Sequence, residues 1–417
     1  MEPRREREGR PITRREFGRL AGAFGLTAAL GAVAELAQAG QVATWDRSLA
    51  KAKEIQLAQQ KGGGKETVIR MGVASALPDH DKAGFPFGYW VFAKDLHERT
   101  EGRLRVELIG GNKLCTEITC AQKFSTGTIQ GFGSSTQNAS LTYPFLSAFD
   151  YAFLFPSRAS MQHFWYHPRV EKLFRKPLRE KYDVEILTAL LEGRAIYLGL
   201  KYKDKPRARR PQDIKGAKIR VTGSPLGRIA LDLFGTNPIP LDWAETFEGL
   251  KSGLVDGMEN FPSAAPAFRM TTALSQLIHV EFFAGFEHLS ISHRFLTSLP
   301  DDLREAVMES GYHTHQWIQK ELERLIREVN GIADPPPPGT TLHKDGLRVN
   351  ILTKEEKREW VERASPEFNP KPWQEWREKL AKMAGGIDLY AEFHKVAQEV
   401  PENIPPEAIK PNRWWKA

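Results

Sequence analysis

The chain has 417 residues, 41% hydrophobic and 27% charged, and 59 basic against 52 acidic residues leave a net charge of +7. That length suits two lobes of ordinary domain size in a soluble globular protein. Lys and Arg alternate with Glu and Asp instead of gathering in a stripe, which argues against a nucleic-acid partner; the densest basic run, Lys201 to Arg210, is broken by Asp204 and Pro206 and reads as a surface loop.

At the N-terminus, Thr13-Arg14-Arg15-Glu16-Phe17 precedes a Gly- and Ala-rich apolar stretch from Leu20 to Val33, and Ala37-Gln38-Ala39 precedes Gly40. A charged region, a short apolar region and an A-x-A site, in that order, mark residues 1–39 as a removable export signal. The apolar stretch is shorter than the ~20 residues a membrane span requires. The paired arginines resemble a twin-arginine signal, which implies the export machinery for folded proteins as a partner and a periplasmic location. Residues 40–65, with Gly62-Gly63-Gly64, read as a flexible leader.

Thr67 to Val73 alternates and is rich in β-branched residues, so it predicts a strand. A helix over 86–100 follows, then a strand at Leu104–Leu108, a helix at Glu117–Ser125 and a strand entered from Gly127 to Gly133. This β-α-β-α-β order predicts a parallel or mixed sheet with helices on its faces. Strands at Glu185–Leu191 and Ala195–Lys201 come next, then a turn at Ile214-Lys215-Gly216 and a short strand at Lys218–Val221. Ser224-Pro225 opens a helix that stops at Gly235. Pro238–Leu241 is extended, and Ala244–Ser252 is helical up to Gly253. From Pro300 to Val329 an apolar stripe of Leu303, Val307, Trp317, Leu322, Leu325 and Val329 predicts one helix of about 45 Å, with Asp301 and Asp302 at its start and Gly331 past its end. A strand at Arg348–Leu352, a capping box at Thr353–Glu356 and helices near 373–383 and 389–399 complete the chain.

Cys115 and Cys120 are too few for a zinc-finger set. An oxidising compartment permits a disulfide between them, although five residues along a helix is an awkward separation; two partly buried free thiols are the other reading. No G-x-S-x-G, H-E-x-x-H or phosphate loop is present. His163 and His167, or His313 and His315, form no set with a matching carboxylate. The expectation is therefore no enzyme, no metal and no cofactor.

From Ile214 to Phe268 the sequence runs IKGAKIRVTGSPLGRIALDLFGTNPIPLDWAETFEGLKSGLVDGMENFPSAAPAF. This resembles the signature of solute-binding proteins of tripartite ATP-independent periplasmic (TRAP) transporters, the DctP type. The shared features are a K-G-x-K-x-R-V strand, a helix, G-x-x-P-x-P, an acidic helix and a G-x-V-D-G-x-E-N turn. Thr100–Leu104 and Tyr151–Phe155 look like further family landmarks. The resemblance implies a two-lobed α/β periplasmic binding protein fold with a long helix spanning both lobes. It also implies a small carboxylate held in the cleft between lobes and an ion-coupled membrane permease as partner. Lobe I is expected to be 66–198 plus 286–325, and lobe II 199–285 plus 326–417. A binding protein of an ATP-driven importer or a periplasmic sensor subunit is the alternative function.

By the resemblance, Arg220 holds the ligand carboxylate and Asn260 hydrogen-bonds the ligand. A guanidinium pairs two carboxylate oxygens at once and stays charged when buried. Glu259 binds a ligand hydroxyl, orients Arg220, ligates a cation or serves as a structural partner. Trp243 forms an apolar wall or packs under its helix. A second basic residue is expected near the preceding strand, with Lys201 and Arg194 in competition. Asn138 and Tyr143 lie in a polar loop after the third strand, a common place for ligand contacts. His288 faces the cleft or is a satisfied structural histidine.

Overall fold

The first strand, β1 (Thr67–Val73), buries Ile69, Met71 and Val73 and exposes Arg70, as its alternation requires. The computed structural model describes residues 66–74 and 85–416. The expected export signal and leader lie outside the described residues. β1 pairs in parallel with β2 (Leu104–Gly110) and with β3 (Gly131–Ser135). β10 (Glu287–Ser292) then runs antiparallel between β3 and β4 (Val184–Leu190), giving a mixed sheet of order β2-β1-β3-β10-β4. Helices α1 (Tyr89–Arg99) and α2 (Glu117–Ser125) supply the predicted β-α-β connections. β3 begins later than expected because the chain first turns at Gly127, whose φ is 74°.

The second sheet has the order β11-β9-β5-β8-β6-β7. Its strands are β5 (Arg194–Gly199), β6 (Lys218–Val221), β7 (Asn237–Pro240), β8 (Gly257–Asn260), β9 (Leu274–Phe283) and β11 (Arg348–Ile351). β6 pairs in parallel with both β7 and β8, so its short K-I-R-V run is an interior strand next to the edge. Helices α3 (Pro225–Leu233) and α4 (Trp243–Ser252) flank it, capped by Ser224 and Asp242. Tyr197, Met258, Leu277 and Val349 form the core of this half, with Ile239, Trp243 and Phe268 packed against it.

The chain crosses between sheets at residues 191–193 and 284–286. At the second crossing, Gly285 has φ 55°, and a Cβ there would fall 1.1 Å from Gln137 Nε2. Only glycine meets both the left-handed backbone and the close approach. A long helix, α5 (Asp301–Arg324), packs on β4 and α1 and buries Leu303, Val307, Ile318 and Leu322; Gln319 donates to the Ala189 carbonyl of β4 at 2.7 Å and Arg99 of α1 to the Ser310 hydroxyl at 3.3 Å. It continues as a π-helical turn over Leu325–Asn330 and stops at left-handed Gly331. There Asn330 donates to the Ser263 carbonyl at 3.3 Å and Ile332 packs on the second core, so this one helical segment spans both halves.

Two features depart from the expected lobe boundaries. Residues 194–198, placed in lobe I, pair within the second sheet, because the chain changes sheet between Leu190 and Arg194. The C-terminal part of 326–417, placed in lobe II, returns to the first half. Phe393 of α6 (Leu389–Ala397) meets Phe164 with ring centroids 4.9 Å apart, and Trp414 lies 5.8 Å from Trp165. Burying these aromatic rings offsets the cost of ordering the tail. Strands β9 (LSQLIHVEFF) and β10 (EHLSIS) carry no predicted element; both are buried on both faces although they include Ser, Gln, His and Glu. Among the described residues no helix is long and apolar enough to cross a membrane.

Cys115 and Cys120 form a disulfide, with Cα atoms 5.0 Å apart. The awkward helical spacing does not arise, because Cys115 precedes the Thr116 N-cap and only Cys120 is helical.

Candidate ligand-binding cleft

Where the two sheets face each other, a cleft encloses about 360 Å³ of atom-free space, counting the part open to solvent. The second sheet contributes Arg194 at the start of β5, Arg220 and Thr222 at β6, Trp243 at the start of α4, Asn260 at the end of β8, and Phe261 and Phe268. The first contributes Glu117, Ser135, Asn138 and Glu287, and the segment before α1 adds Phe85 and Phe87.

Beneath the two arginines lies Glu259, fully enclosed. It pairs with Arg194 Nε, accepts from the Thr222 backbone N–H at 2.8 Å and lies 3.5 Å from Arg220 Nη1. Arg220 Nε donates to the Leu241 carbonyl at 3.0 Å. Burial lowers the Arg220 pKa and Glu259 opposes the shift, so the guanidinium stays charged. Two cations over one anion leave a net positive end to the cleft. Arg194 stacks 4.4 Å over Phe261, and Arg220 lies 5.7 Å from the Trp243 ring. Asn260 Oδ1 accepts from the Phe261 N–H, while its buried Nδ2 has no partner among the described residues; neither does the Thr222 hydroxyl. Both point to a polar ligand, since such groups are rarely left unmatched.

Across the cleft, Asn138 Nδ2 donates to Glu117 at 2.7 Å and its Oδ1 accepts from the Gly223 N–H at 3.1 Å, so this side chain bridges the two halves. Asp150 makes a second bridge, accepting from Gln137 at 3.1 Å and from the Ser224 hydroxyl at 2.6 Å. Burial pushes its carboxyl up to about 7, against the Ser224 hydrogen bond and the Arg194 charge. A folded pKa above the unfolded value means that stability from this group is present below about pH 4 and is lost as pH rises through about 7. Wild type should therefore lose stability relative to Asp150→Asn between about pH 4 and 7, measured by urea denaturation; a constant difference would contradict the assignment.

Of the candidate residues, the structure brings together Arg220, Asn260, Trp243, Arg194 and Asn138 around the cleft, with Glu259 directly beneath. Lys201 is not there. It sits past the far end of β5, roughly 20 Å along the strand from Arg194, exposed and paired with Asp256 at 2.9 Å. Tyr143 is buried instead beside Phe124 and Phe132. His288 is also inside the first half, 2.9 Å from the Ser290 hydroxyl and edge-on to Phe132, and burial drives its pKa down to about 3. Strand alternation sends its neighbour Glu287 into the cleft. Glu117, Glu287, Ser135, Thr222, Phe85, Phe87, Phe261 and Phe268 went unnoticed in the sequence. Thr222 was readable, two residues from Arg220 on the same strand face.

The histidine pair needs a correction. His163 and His167 do meet a carboxylate, Glu399, at 2.9 and 3.3 Å. His167 Nδ1 accepts from the Arg169 N–H, so a neutral ring carries its proton on Nε2 and donates it to Glu399. This is a hydrogen-bonded cluster tying the C-terminal segment to the helix at 158–166.

Two α/β halves crossed by strands and a long helix, with charged and orphaned polar groups at the crossing, define a two-lobed binding-protein architecture. The chain belongs to bacterial extracellular solute-binding protein family 7, DctP, the TRAP type of solute-binding protein; the family model matches residues 88–371, more than half of the chain. It is 30% identical over 212 residues to the 2,3-diketo-L-gulonate-binding periplasmic protein YiaO of Escherichia coli, a match covering 49% of this chain and 57% of that protein. The matched segment thus spans little more than half of that relative. Among solved structures, it superposes on a TRAP periplasmic solute-binding protein of Anaerococcus prevotii with bound D-glucuronate (TM-score 0.66, 20% identity, covering 81% of this chain and 100% of that one). A second, from Ralstonia eutropha with bound (S)-2-acetolactate, gives a TM-score of 0.64 at 22% identity, covering 80% and 99%.

Proposed function

We propose that this protein captures a small organic acid in the cleft and delivers it to an ion-coupled TRAP permease, without catalysing a reaction. The observation that carries this reading is Arg220: a guanidinium held by Glu259 and Leu241 at the cleft wall, beside the orphaned Asn260 amide. Arg194 is the second basic residue of the site. The family supports the transport role, and the compounds named for the relatives above are all carboxylic acids. Glu259 orients both arginines. The lobes are 66–190 with 287–324 and the tail from 374, whose helix receives the Lys181 ammonium at the Met383 carbonyl, against 194–283 with 326–364.

A thermal-shift screen of small carboxylic acids tests the reading, because a ligand at 100 Kd adds about 2.7 kcal/mol. A hit should also shrink the radius of gyration in solution scattering as the lobes close. A panel of acids that leaves the melting temperature unchanged would count against it. Export to the periplasm through the twin-arginine route rests on Arg14-Arg15 and the Ala37-Gln38-Ala39 site. Exported protein should begin at Gly40 by mass spectrometry, and Lys at both arginines should block export; unimpaired export would point to the general secretory route.

A further inference from the structure

A second cluster of ligating side chains lies on the first half, and none of its members lines the cleft. His163 sits in the last turn of the helix at 158–166 and His167 is its C-cap, four residues on, so both rings project from one side. Glu399 comes from the chain just past α6. Its Oε2 is 2.9 Å from His163 Nε2 and 3.3 Å from His167 Nε2, and the three ligand atoms lie within 4.8 Å of one another. Donor atoms around a tetrahedral ion bound at about 2.0–2.1 Å stand roughly 3.3–3.4 Å apart. Small side-chain rotations therefore close these three on one centre. The expectation of no metal rested on histidine pairs that lack a carboxylate; the returning tail supplies one, 236 residues from His163 in sequence.

The backbone around the cluster is fixed by contacts of its own. Ser160 Oγ donates to the Ala397 carbonyl at 2.6 Å, two residues before Glu399, and Asn412 Nδ2 donates to the Tyr166 carbonyl at 3.0 Å, beside His167. The side chains stay partly open, His163 at 29% and Glu399 at 41%, which leaves a path for an ion and room for water as the remaining ligand. Two imidazole nitrogens and one carboxylate oxygen suit zinc and its neighbours, whereas calcium and magnesium call for oxygen ligands.

We propose that His163, His167 and Glu399 bind a divalent transition-metal ion, zinc being the one to test, and that the ion pins the C-terminal segment to the helix at 158–166. The Nε2 protons that face Glu399 in the metal-free form give way: each ring takes the metal on Nε2 and carries its proton on Nδ1. At His167 this gives up the hydrogen bond from the Arg169 N–H. Binding should therefore be micromolar, weaker than at a closed structural site with four protein ligands.

The test is calorimetric titration of the untagged mature protein with Zn2+ alone in a non-chelating buffer. The inference expects one ion bound at this site, a higher melting temperature with zinc and slower amide exchange across residues 389–412. His163→Ala and Glu399→Gln, each checked for folding by circular dichroism, should each weaken that binding at least tenfold. His313→Ala, at a histidine that faces Asp95 and Glu309 on another surface, should leave it unchanged. Zinc binding that both His163→Ala and Glu399→Gln retain would place the ion elsewhere and overturn the inference. Wild-type protein that takes up no zinc at submillimolar concentration would overturn it too. The carboxylate screen reads the cleft separately, so either proposal can fail without the other.

Discussion

Replacing Arg220 by Ala is expected to weaken ligand binding by roughly 30-fold to several thousand-fold. Removing one partner of a buried charge pair costs about 2–5 kcal/mol, because the other charge is left unpaired, and each 1.4 kcal/mol is about a decade in affinity. The geometry suits that range: Arg220 is 1% exposed and already anchored through Nε and Nη1, so its position is set before the ligand arrives. Arg220→Lys should recover only part of the loss, since an ammonium lacks the bidentate fork and cannot serve Leu241, Glu259 and ligand together. Titration of both variants with the acid found by screening, with circular dichroism as the folding control, measures this. A folded Arg220→Ala protein that binds within about threefold of wild type would move the carboxylate to Arg194.

The second large effect is on stability. Glu259→Ala should destabilise the free protein by about 3–5 kcal/mol, the usual consequence of breaking a buried ion pair from one side. Two guanidiniums that cannot shed their protons, Arg194 and Arg220, would remain at 2% and 1% exposure without their shared counter-ion, and the Thr222 N–H would lose its acceptor. Glu259→Gln should cost less, because an amide oxygen still accepts one of these bonds. Saturating carboxylate ligand should narrow the gap between Glu259→Ala and wild type, since it supplies a negative charge to the same two cations. Denaturant unfolding of free and ligand-bound forms would show it; a loss below about 1 kcal/mol would mean that water enters and solvates the arginines.

How far the sequence reveals this site depends on whether the signal is local. Arg220 was legible because it falls in the K-G-x-K-x-R-V element and the turn ending in Asn260 follows at family spacing; the strand K-I-R-V alone, with two charges in four residues, does not single it out. The long helix was legible from its stripe and from Asp301, Asp302 and Gly331, although its last turn is π-helical. Choosing between Arg194 and Lys201 required knowing which end of β5 meets the cleft, and that is set by pairing with β8 and β9. Of the two readings of His288 the structural one fits its contacts with Ser290 and Phe132, and Glu287 faces the cleft instead, because one residue along a strand changes its face. Glu117 reaches the cleft only after α2, β3 and β10 are assembled. The return of Phe393 and Trp414 to the first half is likewise a long-range packing event with no local period to announce it.

The central claim is that the cleft holds a carboxylate on Arg220, and a double-mutant cycle between protein and ligand tests it most directly. The screened acid and its methyl ester would each be titrated into wild type and Arg220→Ala. Wild type should bind the ester at least 30-fold more weakly than the acid, while Arg220→Ala should separate the two by less than about threefold. Equal binding of acid and ester by wild type would contradict the account.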